Sequence, residues 1–169
     1  MNSQERLNAW FANFDHRMET AVPNIVAETA TEFFQDKFKT EEWDGIPWQP
    51  LGTKYAAKKT RGKGSILTKT GQLRNSIRPS EVNAGRVVIS AGSTKVPYAR
   101  VHNEGLRVSG IANVRPYTNS NFMGRGRAVQ IKSHTRKFNF QMPRRRYMGP
   151  SKFLNEDIIE RLTKAFNNK

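Results

Sequence analysis

Apolar side chains recur on a helical period at the start of the chain. Leu7, Trp10, Phe11, Phe14 and Met18 fall on one face of a 3.6-residue repeat with charged residues between them. This spacing predicts an amphipathic helix from about Ser3 to Met18, with Ser3 as its N-cap. Pro23 suits the first turn of a second helix. Ile25, Val26, Thr29, Ala30, Phe33, Phe34 and Phe38 give that helix an apolar face, and it is expected to end near Thr40. Large aromatics at this spacing are expected to pack in a core.

The pattern then changes. EEWDGIPWQPLG carries two prolines and two glycines, which disfavour a helix or a regular ladder. We expect an irregular segment anchored by Trp43, Ile46, Trp48 and Leu51. Residues 53–65 are small and basic and read as a loop or a frayed turn. Thr70 is placed to cap a short turn that sets Leu73 and Ile77 on one face. Val87, Val88 and Ile89 mark a strand over about Arg86 to Ala91, with Glu81–Val82 as its partner across Asn83-Ala84-Gly85. Between Pro97 and Gly105 a short helix is predicted, with Tyr98, Val101 and His102 on one side.

Residues 106–142 alternate only weakly, through Val108, Ile111 and Val114, then Val129 and Ile131, then Phe138, Phe140 and Met142. They read as a long basic β-hairpin or an extended loop, with YTNSNFMGRGR at its tip. A closing helix follows from about Ser151 to Phe166. Its apolar face is Phe153, Leu154, Ile158, Leu162 and Phe166, and Glu156, Asp157 and Lys164 are placed to suit the helix dipole. The expected fold is α+β: N-terminal helices and a C-terminal helix on a small, mainly antiparallel sheet. One domain is expected over 1–169, divided into a helical pair (1–44), a motif-bearing core (45–105), the hairpin or loop (106–142) and a C-terminal motif with its helix (143–169).

Charge sharpens this picture. The net charge is +15. Residues 1–44 hold 9 acids and 4 bases, whereas residues 45–155 hold 22 bases and only two acids, Glu81 and Glu104. Such a basic middle faces something negative or stays solvated. Nucleic acid, an acidic protein neighbour and the acidic N-terminal segment of an adjacent copy all satisfy that requirement. The absence of cysteine removes disulfides and thiolate metal sites. No apolar run approaches the ~20 residues of a membrane span, and MNSQERLNAW lacks the apolar stretch of a signal peptide. A soluble protein made in the cytoplasm is expected.

Catalytic constellations are not apparent. His16, His102 and His134 lie far apart without paired carboxylates, and no ligand spacing suggests zinc. Residues 45–80 and 105–155 contain no acid, so clustered carboxylates for a two-metal nuclease are lacking there. GKGS at 62–65 is only a fragment of a phosphate loop, and GRGR at 124–127 lacks a strand–helix frame. The chain is expected not to be an enzyme and to need no cofactor.

Four segments in order carry a resemblance. Gly45, Trp48 and Leu51 form the first. Leu67, Thr70, Gly71, Leu73 and Ser76 form the second, and Tyr98, Ala99, His102 and Gly105 the third. Pro143 with Arg144 and Arg145, before the last helix, form the fourth. Together these resemble the virion morphogenesis, or tail completion, family of tailed bacteriophages. Where that family usually has a second proline near the end, this chain reads Arg144-Arg145-Arg146-Tyr147. The resemblance implies a structural protein of the virion, assembled in the host cytoplasm. It further implies a ring, as a hexamer, that completes the tail or joins tail to head in the neck. The ring's neighbours would be head-completion and tail-tube or sheath proteins, and DNA would pass through its lumen without sequence readout.

Under that reading Arg125, Arg127, Lys132, Arg136, Lys137, Arg144, Arg145 and Arg146 are candidates for an interface or the lumen. Trp48, Leu51, Thr70, Gly71, Leu73, Tyr98, His102, Gly105 and Pro143 are expected to maintain the fold. Arg145 is expected to pair with a carboxylate inside the subunit or across the ring. The alternative is a free, non-specific nucleic-acid-binding protein, with Tyr117, Phe122, Phe138, Phe140 and Tyr147 stacking on bases between the cationic residues.

Overall fold

The computed structural model describes residues 2–52, 66–122 and 127–167. The basic segment 53–65 and Arg125, at the tip of the predicted hairpin, lie outside the described residues.

Helix α1 runs without interruption over Ser3–Thr40, replacing the expected pair of helices. Pro23 sits inside it, where a missing N–H and a ring clash with the preceding turn cost about 3 kcal/mol. The side chain of Asn24 donates to the carbonyl of Thr20 at 2.9 Å and so partners the backbone beside the break. Beyond the proline, Ala27, Ala30, Phe34 and Phe38 are buried. Before it, Arg17 donates to the Ala165 carbonyl and Phe14 meets Phe166 of the last helix, so packing on both sides holds one helix. The N-cap is Asn2 rather than Ser3. Its side chain accepts from the Glu5 N–H at 2.8 Å while the Glu5 carboxylate accepts from the Asn2 N–H at 2.8 Å, a reciprocal capping box.

A left-handed Glu41 ends α1, and a short hairpin follows where irregular chain was expected. Strand β1 (Glu42–Trp43) pairs with β2 (Ile46–Pro47). Asp44 and Gly45 both have positive φ, 48° and 79°, as a type I′ turn requires. The Asp-Gly pair carried that signal in the sequence, but the neighbouring prolines obscured it. Helix α2 (Gln72–Asn75) is capped by a left-handed Gly71 rather than by Thr70. The Thr70 hydroxyl accepts from the Gln72 N–H at 3.5 Å. Leu73 and Ile77 share a face, and both are buried.

Strand β3 (Arg78–Asn83) pairs antiparallel with β4 (Arg86–Ser90) around the expected Ala84-Gly85 turn, and both strands pack on α1. Helix α3 (Ala99–Glu104) ends at a left-handed Gly105. There a Cβ would lie 2.7–2.9 Å from Arg144, so glycine alone lets the two segments approach. Strand β5 (Arg107–Val114) pairs residue for residue with β8 (His134–Gln141). Nested between them, β6 (Tyr117–Phe122) pairs with β7 (Arg127–Ile131). Gly110 faces Phe138 across the β5–β8 ladder, and the ring fills the space a side chain would take. Helix α4 (Lys152–Asn167) packs on α1.

The fold is therefore α+β, with four two-stranded antiparallel ladders among the described residues. Its core gathers Phe34 and Phe38 from α1, Trp43, Trp48, Leu73, Ile77, Val96, Ala99, Tyr147 and Leu154. Phe34 stacks on Trp43 at 6.1 Å, and Phe38 meets Trp48 edge-on at 5.5 Å and Tyr147 at 5.0 Å. Each such side chain contributes about 1.5–3 kcal/mol by leaving water. The first helical stripe does not join them. Leu7, Trp10, Phe11, Phe14 and Met18, expected in the core, are all exposed, Trp10 by 58%.

Candidate functional site

The motif residues converge where the segment Pro143–Met148 passes between α1, α3 and the residues after β2. Tyr147 is fully buried there. Its hydroxyl donates to the Ala99 carbonyl at 2.9 Å, and burial pushes its phenol well above the ordinary range. Asn103 pins the same segment from α3. Its side-chain oxygen accepts from the N–H groups of Tyr147 and Met148 at 2.9 and 3.0 Å, and its amide donates to the Met148 carbonyl at 3.1 Å. The Trp48 indole N–H donates to the Arg146 carbonyl at 2.6 Å. Asn103 was not singled out from sequence; its place next to His102 in the third motif was the available signal.

The three adjacent arginines separate by extended-chain alternation. Arg144 is exposed, Arg145 is 4% exposed and Arg146 is half-buried. Within the chain, the Arg145 Nε donates to the Gln49 carbonyl at 3.0 Å and an Nη to the Pro50 carbonyl at 3.4 Å. The Glu41 carboxylate favours its charge from nearby, but burial is the larger effect and lowers its pKa. Burial also lowers the pKa of His102, with Arg145 adding to the shift. His102 packs edge-on against Tyr98 at 5.7 Å, its carbonyl accepts from the Arg145 N–H at 2.9 Å, and its buried Nδ1 meets no partner among the described residues. A general base is normally oriented by a hydrogen bond at its second nitrogen, and His102 lacks one here.

Leu51 and Pro143 are half-buried and Thr70 is exposed. Leu51 packs on the core. Arg127 opens β7. Lys132, Arg136 and Lys137 are exposed, the last two paired with Ala112 and Ile111 and so directed to opposite faces of the β5–β8 ladder. The cationic candidates thus do not form one cluster. The motif segment holds the fold, whereas the ladders carry a dispersed basic surface.

Two concave regions flank the junction. A cleft of about 580 Å³ lies between α1 and α4, where Arg161 binds Glu32 at 2.5 Å and Lys39 binds Asp36 at 2.7 Å, while the buried Nε of Arg74, which also lines it, meets no partner among the described residues. A smaller pocket of about 190 Å³ is formed by Trp43, Ile46, Pro47, Trp48, Arg144 and Arg146. The Arg146 guanidinium lies 4.9 Å from the centre of the Trp43 ring, a favourable cation–π distance. Among the described residues no three His, Asp or Glu side chains gather to hold a metal ion, and no helix is long and apolar enough to cross a membrane.

None of the curated proteins or solved structures compared with the chain matches it. The model of the phage virion morphogenesis family matches residues 3–167, spanning α1, all four ladders and α4. The chain belongs to the phage virion morphogenesis family, whose role is structural and which places the protein with the virion.

Proposed function

We propose that the chain is a ring-forming, non-catalytic subunit that completes the tail or joins tail to head in the virion neck. The separation of charge within the fold carries this reading. The nested ladders expose Arg107, Arg115, Lys132, Arg136 and Lys137, and no acid lies anywhere in residues 105–155. The opposite sign is concentrated in α1 and the turn after it. A subunit with an acidic end and a basic end favours head-to-tail contacts with its copies, and such contacts close into rings when the rotation allows. Cations spread over both faces of a ladder tolerate phosphate in a lumen without reading bases. A hexamer beside head-completion and tail-tube or sheath proteins is the arrangement this reading favours.

Exposed Tyr117 and Phe140 beside these cations favour a second reading, a free non-specific nucleic-acid-binding protein. Light scattering and electron microscopy of the purified chain, with and without duplex DNA, separate the two. Rings formed without DNA, with weak and salt-sensitive DNA binding, are expected. A monomer at every concentration that binds DNA tightly overturns the ring reading.

A further inference from the structure

The N-terminal half of α1 is an unusual surface. Leu7, Trp10, Phe11, Phe14 and Met18 form one apolar stripe, and every one of them is exposed. Trp10 stacks on Phe14 at 5.5 Å and meets Phe11 edge-on at 5.1 Å, so the stripe presents a connected aromatic ridge. Contiguous exposed apolar surface of this kind marks a contact site. The capping box at Asn2 and Glu5 and the continuity with the packed half of α1 keep the ridge helical. At its inner end Phe14 meets Phe166 of α4 at 6.3 Å, and Arg17 lies over the same ring and donates to the Ala165 carbonyl at 2.5 Å.

The same chain carries a matching receptor. The Trp43–Ile46–Pro47–Trp48 pocket holds about 190 Å³, below the usual size of a small-molecule site and on the scale of one aromatic side chain. Ile46 at its mouth is 71% exposed. Arg144 and Arg146 line it, while Asp15 lies on α1 one turn beyond Phe11, on the flank of the ridge. The ridge cannot reach its own pocket. Trp10 and Phe38 are 28 residues apart on one helix, about 42 Å at 1.5 Å per residue, and Phe38 packs beside Trp48 at the pocket end.

We propose that the Trp10–Phe14 ridge of one copy seats in the Trp43–Ile46–Pro47 pocket of the next, with Asp15 facing Arg144 and Arg146. The two surfaces sit at opposite ends of α1, so the contact is heterologous and propagates from copy to copy. A large aromatic entering a desolvated pocket is the typical anchor of a protein interface. This inference rests on the ring reading and specifies its contact.

The test uses two full-length variants, Trp10→Ala and Ile46→Glu. Each changes an exposed residue, and circular dichroism and melting confirm its fold. Each alone should associate roughly thirtyfold more weakly than the parent, the loss typical of an interface anchor. Mixed in equal amounts they should form a one-to-one dimer, because Trp10→Ala keeps its pocket and Ile46→Glu keeps its ridge. A ring-forming parent with variants that assemble equally well overturns the docking but leaves the ring intact. Two monomeric variants that fail to complement show that ridge and pocket are not partners. A parent that never associates overturns the ring and the docking together.

Discussion

The indole N–H of Trp48 donates to the backbone carbonyl of Arg146, at 2.6 Å, across 98 residues of sequence. With the Arg145 bonds to the Gln49 and Pro50 carbonyls, it joins the segment after the β1–β2 hairpin to the arginine segment before α4. It also sets the spacing of the pocket in which we place the neighbouring copy's helix.

Trp48→Ala is expected to destabilise the fold by about 3–5 kcal/mol, through lost packing and the cavity left against Phe38. Trp48→Phe keeps an aromatic ring in place but leaves the Arg146 carbonyl without its donor, for a loss of about 1–3 kcal/mol. Urea denaturation monitored by circular dichroism measures both. A Trp48→Ala protein that unfolds like the parent yet fails to assemble would assign Trp48 to the interface instead.

Arg145, Arg144 and Arg146 should respond differently to lysine. Arg145 is buried with its forked guanidinium spanning the Gln49 and Pro50 carbonyls, and a lysine ammonium does not reproduce the fork. Arg145→Lys should cost about 1–3 kcal/mol. Arg144→Lys, on an exposed side chain, should stay within about 0.5 kcal/mol. Arg146→Lys should lose a little more, about 0.5–1 kcal/mol, from the weaker cation–π contact with Trp43. Equal melting losses in all three variants would reduce the cluster to total charge.

Stability should fall on the acid side in part through His102. Burial, then Arg145, hold its pKa below the ordinary 6.5. Below that value the unfolded chain takes up a proton that the folded chain resists, so the unfolded state binds more protons and stability drops as pH falls. Above about pH 6.5 both states are neutral at this position and the effect vanishes. Melting temperatures between pH 6.5 and 5 should decline less steeply in a folded His102→Gln variant than in the parent. Identical slopes would remove His102 from the acid response.

The periodic pattern was enough to determine helix where helix occurs: the residues that bury Phe34, Phe38 and Leu154 already stood at 3.6-residue spacing. It also placed the β3–β4 turn at Ala84-Gly85 and the end of α3 at Gly105, because these depend on a few local φ angles. The four ordered motifs sufficed for the family. Local pattern did not determine whether Pro23 begins a helix or sits within one, since that depends on the packing on both sides of it. It also could not tell a buried apolar stripe from an exposed one. Trp10 and Phe38 lie on equally good helical faces, yet only Phe38 meets Trp48 and Tyr147. Arg145 was legible as different from its neighbours by alternation, but its partners were not, because Gln49 and Pro50 come within reach only through the tertiary fold. Periodicity specifies which side of an element is apolar; what covers that side is settled by contacts between residues distant in sequence, within the chain for Phe38 and, in our proposal, from the next copy for Trp10.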